Sequence, residues 1–148
     1  MKAIEIQPGL WLGNEKTANN LNFIKTNNIV NIINCNQYLN YSSHKYKSPI
    51  KEKLEENEIK HTIKFLLKIT DYVFTNLKQF NNTLIYCHND LNISIAIIIA
   101  FIMRHGKLNK DTVVNLLKSK INRITISNIS NISLNYFEKH LKHNRIIS

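Results

Sequence analysis

Apolar and polar residues alternate loosely along Ile4-Glu5-Ile6-Gln7 and Leu10-Trp11-Leu12, on either side of Pro8-Gly9. That pattern predicts a hairpin, or two short strands joined by a turn. The period then lengthens. Asn14 can cap a helix over Lys16 to Thr26, with Ala18, Leu21, Phe23 and Ile24 on its inner face and Asn27-Asn28 ending it. Ile29 to Asn34 is a short β-rich run and reads as a buried strand, whereas residues 35–49 are polar and rich in tyrosine and read as a surface loop. The strongest helical spacing follows Asn57, a candidate cap. Ile59, Ile63, Leu66, Leu67, Thr70, Val73, Phe74 and Leu77 keep one face for about five turns. Asn81-Asn82 breaks the chain, Thr83 to Cys87 predicts a strand, and the run Ile95 to Met103 predicts a helix opening at Ser94 and closing at His105-Gly106. Amphipathic helices over about Lys110 to Lys120 and Ser133 to Lys142 complete the chain. Strands interspersed with helices predict an α/β fold, a small central mixed sheet flanked by helices.

Length and composition narrow this reading. At 148 residues and 43% hydrophobic, the chain suits one domain, 1–148, with one core. The longest apolar run, Ile93 to Met103, stops at Arg104, well short of the about 20 residues that span a bilayer, so no membrane insertion is expected. Met1 to Glu5 lacks the apolar stretch of a signal peptide, which points to the cytoplasm, with the nucleus as an alternative. Isoleucine (24), asparagine (23) and lysine (17, against 3 arginines) dominate, the bias of an A/T-rich genome such as that of a large DNA virus or a parasite. The net charge of +10 would suit nucleic acid, anionic lipid or acidic proteins, but the lysines are scattered, as on solvated helix faces. Cys35 and Cys87 have neither metal-ligand spacing nor a disulfide framework, and no cofactor or metal is expected.

The chemistry-bearing stretch runs from Leu84 to Ser94. A strand ending in a cysteine, a six-residue loop and a helix opening at a serine form the layout of an anion cradle, in which loop amides and a helix N-terminus face an oxyanion. This stretch resembles the protein tyrosine phosphatase motif His-Cys-x-x-Gly-x-x-Arg-Ser/Thr. Tyr86, Cys87, Asp90, Ile93 and Ser94 occupy its five defined positions, and only Cys87 and Ser94 match. Upstream, Ile6 to Asn14, Ala18-Asn19 and Ile29 to Asn34 resemble the opening of a dual-specificity phosphatase domain. Downstream, Arg123 to Asn128 and Leu134 to Leu141 are similar to the family's last loop and closing helix. The resemblance covers nearly the whole chain and implies a dual-specificity phosphatase-like fold whose phosphate loop is degenerate, as in a poxvirus-type viral member.

What the resemblance implies for catalysis is loss. Cys87 stands at the position of the thiolate nucleophile, which in the family attacks phosphorus. Ile93 stands where the family's arginine clamps two phosphate oxygens, and it offers no donor. Asp90 replaces a glycine, bringing negative charge toward the substrate dianion and opposing ionisation of the thiol. Glu56, about 31 residues before Cys87, falls at the general-acid position, where proton transfer needs about 3 Å reach; it also reads as part of a solvated acidic turn. Tyr86 replaces the histidine that orients the loop, Ser94 can cap the helix, and His88 reads as a solvated loop residue. For Cys87 a core role, a residual nucleophile and a redox-sensitive thiol all stay open. The resemblance thus implies a pseudophosphatase that works by binding a protein, such as a phosphoprotein or a kinase or phosphatase pathway component, or by competing with active phosphatases. A homodimer stays open. The alternatives are a weakly active protein or RNA phosphatase, its site completed by Arg104 or Arg123, and a basic nucleic-acid-binding module.

Overall fold

The computed structural model describes residues 3–35, 56–87, 92–124 and 126–148. Strands β1 (Ile4–Gln7) and β2 (Leu10–Asn14) form the antiparallel pair expected around Pro8-Gly9, with Gly9 at φ +85 supplying the turn that a side chain would resist. β3 (Ile29–Asn34) and β4 (Asn82–Cys87) run parallel to each other, and β2 runs parallel to β4. The sheet order β1-β2-β4-β3 therefore puts β4 inside and β3 at an edge. Thr83, Leu84 and Ile85 are all fully buried, so both faces of the inner strand are covered, as parallel strands require. The edge position corrects the expectation of a buried β3: Ile29 and Ile33 are inside, but Val30 is 69% exposed and Ile32 43%.

Six helices follow from local signals. Asn14 does cap a helix, but a short one: α1 spans Glu15–Ala18, and α2 spans Leu21–Thr26. The single helix expected over Lys16 to Thr26 is split because the Asn20 side chain accepts the Phe23 N–H and starts a second N-terminus. Leu21, expected inside, is 73% exposed as a result. Helix α3 (Glu56–Lys78) begins one residue before Asn57, so Asn57 lies within it and is no cap. Glu58, expected in a solvated turn, lies within α3 and is buried. Helix α4 (Asn92–Gly106) is apolar all round, with Ile95 to Phe101 and Met103 buried, and it packs on α3, on β4 and on the last helix. Its end differs from expectation by one residue. Lys107, not Gly106, takes the left-handed turn (φ 57), and the Leu108 N–H reaches back to Met103 O at 3.1 Å. Helix α5 spans Lys110–Lys118, capped by Asn109, and α6 spans Asn128–His143. The start of α6 lies earlier than Ser133 because the Ser127 hydroxyl already accepts the Ser130 N–H.

Two packing details carry testable consequences. Gly13, opposite Tyr86 in the sheet, has no room for a side chain: a Cβ there would lie 2.8 Å from Thr17 Cβ. Thr17 is held by its capping box with Asn14, so it cannot easily withdraw. Gly13→Ala is expected to cost about 1 to 3 kcal/mol, read as a lower midpoint in urea unfolding.

His105 stacks on Phe74 at 4.2 Å between ring centroids and lies 5.2 Å from Phe101. Burial, and then the neighbouring Arg104, hold its pKa below the ordinary value, outweighing Asp71 and a backbone hydrogen bond at Thr70. A depressed folded pKa means that the unfolded chain binds the proton first. The stability from neutral His105 is complete above pH about 6.5 and is lost as the pH falls from there toward the lower folded value. His105→Phe, which keeps a ring in the stack, should flatten that part of a stability curve measured from pH 8 to pH 5.

Candidate functional site

The carboxyl ends of β2, β3 and β4 and the start of α4 meet at Cys87. It is 2% exposed, pairs with Asn14 of β2, and closes β4. Its Sγ accepts the backbone N–H of Ser94 at 3.2 Å. That amide lies in the first turn of α4, where no carbonyl within the helix is available to it, so the sulfur fills the place of a cap. Ser94 is fully buried, but it is not the N-cap: α4 starts two residues earlier, at Asn92.

Ile93 is half-buried and packs against the hydrophobic core. Its side chain offers no hydrogen-bond donor to an anion at this end of α4, and burying an isoleucine fully is worth about 1.5 to 3 kcal/mol. Tyr86, one residue before the cysteine, pairs with Gly13 and Asn34, and its phenol is raised above its ordinary pKa by burial, then by Glu15 and Cys35. Asp90 and His88, and the side chain of Glu56, lie outside the described residues. The backbone of Glu56 opens α3.

The arginines do not complete the site as one reading supposed. Arg104 is about 15 Å along α4 from Ser94. There its Nη1 donates to Leu67 O (2.8 Å) and Thr70 Oγ1 (3.1 Å) and pairs with Asp71 (2.8 Å), tying α4 to α3. Arg123 is exposed in the segment between α5 and α6.

A neighbour that the sequence reading missed is Cys35. β3 and β4 pair in register through Asn34 and Tyr86, so the next residue of each, Cys35 and Cys87, lie side by side. Both are buried, neither is in a disulfide, and their side chains are hydrogen-bonded. That bond, then burial, then the charge of Cys87 push the Cys35 thiol well above its ordinary pKa, so Cys35 is the protonated donor of the pair. A signal was present: each cysteine directly follows a β-rich run.

Residues 10–140 match the family described as dual specificity phosphatase, catalytic domain. No curated protein matches the chain by sequence. Among solved structures, a mouse putative dual specificity phosphatase complexed with zinc tungstate superposes with a TM-score of 0.75 at 16% identity, over 98% of this chain and 91% of that one. A leucine rich repeat and phosphatase domain containing protein from Entamoeba histolytica gives 0.70 at 22% identity, over 97% and 94%. A human tyrosine phosphatase-like serine/threonine/tyrosine-interacting protein gives 0.68 at 17% identity, over 94% and 97%. At these identities the likeness is one of fold. Among the described residues no helix is long and apolar enough to cross a membrane.

Proposed function

The chain belongs to the dual specificity phosphatase catalytic-domain family, and from that premise we propose that it is a catalytically inactive member, a pseudophosphatase acting through a protein partner. The observation that carries this reading is Ile93: at the family's arginine position stands a half-buried apolar side chain packed against the core. Removing one oxyanion donor commonly costs about 100- to 1000-fold in turnover, and a charged bidentate clamp supplies at least as much. Asp90, at the glycine position, adds a negative charge where the substrate would bring more. A fold-level neighbour whose name reads phosphatase-like and serine/threonine/tyrosine-interacting gives this reading a precedent. The proposed partner is a phosphoprotein or another component of a kinase or phosphatase pathway, met in the cytoplasm. The A/T-rich composition fits a large DNA virus as the source.

Partner capture tests the proposal. Tagged wild type and Cys87→Ser are passed over the same cell extract, and the bound proteins are identified by mass spectrometry. A binding protein whose function does not use the sulfur should hold the same partners in both forms, with or without vanadate. Proteins held only by Cys87→Ser and released by vanadate would be trapped substrates and would contradict it.

A further inference from the structure

We propose that Cys35 and Cys87 form an oxidisable dithiol that peroxide converts to an intramolecular disulfide joining the end of β3 to the end of β4. The register brings the two residues together without rearrangement. Paired strands lie about 4.8 Å apart, within the roughly 4.4 to 6.8 Å between Cα atoms that a disulfide spans. Side chains at matched positions of parallel neighbours point to the same face, and Cys35 and Cys87 each follow a matched pair, Asn34 and Tyr86. Their side chains are already hydrogen-bonded, and no other cysteine exists in the chain.

The two sulfurs are not equivalent. Cys87 Sγ accepts the Ser94 N–H at the start of α4, while Cys35 donates its S–H to Cys87. Cys87 is therefore the sulfur that attacks. It displaces hydroxide from hydrogen peroxide, breaking the O–O bond, and becomes a sulfenic acid; a proton converts the hydroxide to water. Cys35 sulfur then attacks the Cys87 sulfur, an S–S bond forms, the S–OH bond breaks, and the Cys35 proton leaves with the hydroxyl group as a second water. Two thiols and one peroxide yield one disulfide and two waters. Burial at 0% and 2% exposure slows the first step but leaves the product unchanged, because the nearest nucleophile to the sulfenic acid is Cys35. The inference does not depend on whether the domain is an enzyme, and its failure would leave the proposed function untouched.

The experiment treats the full chain with hydrogen peroxide, blocks remaining thiols with N-ethylmaleimide, and reads intact mass and tryptic peptides. The expected result is a loss of about 2 Da, no alkylated cysteine, a linked Cys35–Cys87 peptide that dithiothreitol reverses, and a rate independent of protein concentration. The same treatment of the guanidine-unfolded chain should link the pair several-fold less efficiently. Closing a loop of about fifty residues should also raise the melting temperature of the oxidised protein by about 5 to 10 °C. Cys35→Ser should stop at sulfenic or sulfinic acid on Cys87. If that variant fails to fold, the wild-type products still decide. Sulfinic acid on Cys87 with Cys35 alkylated, a disulfide-linked dimer, or equal linking in the unfolded chain would overturn the proposal.

Discussion

Replacing Tyr86→His, Asp90→Gly and Ile93→Arg together is expected to create tungstate binding that the wild type lacks. Each change repairs a different fault. Arginine supplies the clamp at the first turn of α4, glycine removes a charge that repels the anion, and histidine restores support beside Cys87. No one of them should suffice. Ile93→Arg alone sets a guanidinium near Asp90, where an ion pair competes with the anion for the same donors, and it also removes an apolar side chain packed against the core. Asp90→Gly alone leaves no clamp. Residues acting as a unit are strongly non-additive. With tungstate at about 100 times its dissociation constant, binding stabilises by about 2.7 kcal/mol, which for a chain of this size raises the melting temperature by about 5 to 10 °C. Each single variant and the wild type should move by less than about 1 °C. The measurement is the melting temperature with and without tungstate for wild type, three singles and the triple. A wild type stabilised as much as the triple would mean that its cradle already binds an oxyanion, and the proposed function would need rebuilding around phosphate recognition without turnover.

Much of the framework behind this experiment is legible in the sequence, and the reasons are local. The helix from Ser94 to His105 stands out because its apolar run is nearly unbroken, and α3 because one face repeats over its whole length; the structure adds only a residue or two at their ends. The strands around Pro8-Gly9 and before Cys87 fall where predicted for the same reason.

The errors come from two sources. Asparagine is so abundant that cap candidates are everywhere, and the sequence does not rank Asn14 against Asn20, or Asn57 against the residues before it; the split of α1 from α2 follows from which side chain reaches a free amide. The other source is distance along the chain. That β3 is an edge strand, and that Cys35 stands beside Cys87, depend on strand order and register, which no local pattern encodes. Arg104 illustrates the same limit. As a cation without an obvious partner it was a candidate to complete the site, and only the packing of α4 on α3 shows it bound to Leu67, Thr70 and Asp71.

The central claim, that a domain of this family has lost its chemistry at Ile93 and Asp90 while keeping Cys87, is tested most directly by turnover. Wild type and Cys87→Ser, both verified as folded by circular dichroism, are assayed side by side on an aryl phosphate and on a phosphotyrosine peptide. An active dual-specificity phosphatase serves as the reference. The expected result is no difference between the two forms and a rate at least about 1000-fold below the reference. Hydrolysis by the wild type that Cys87→Ser abolishes would contradict the account.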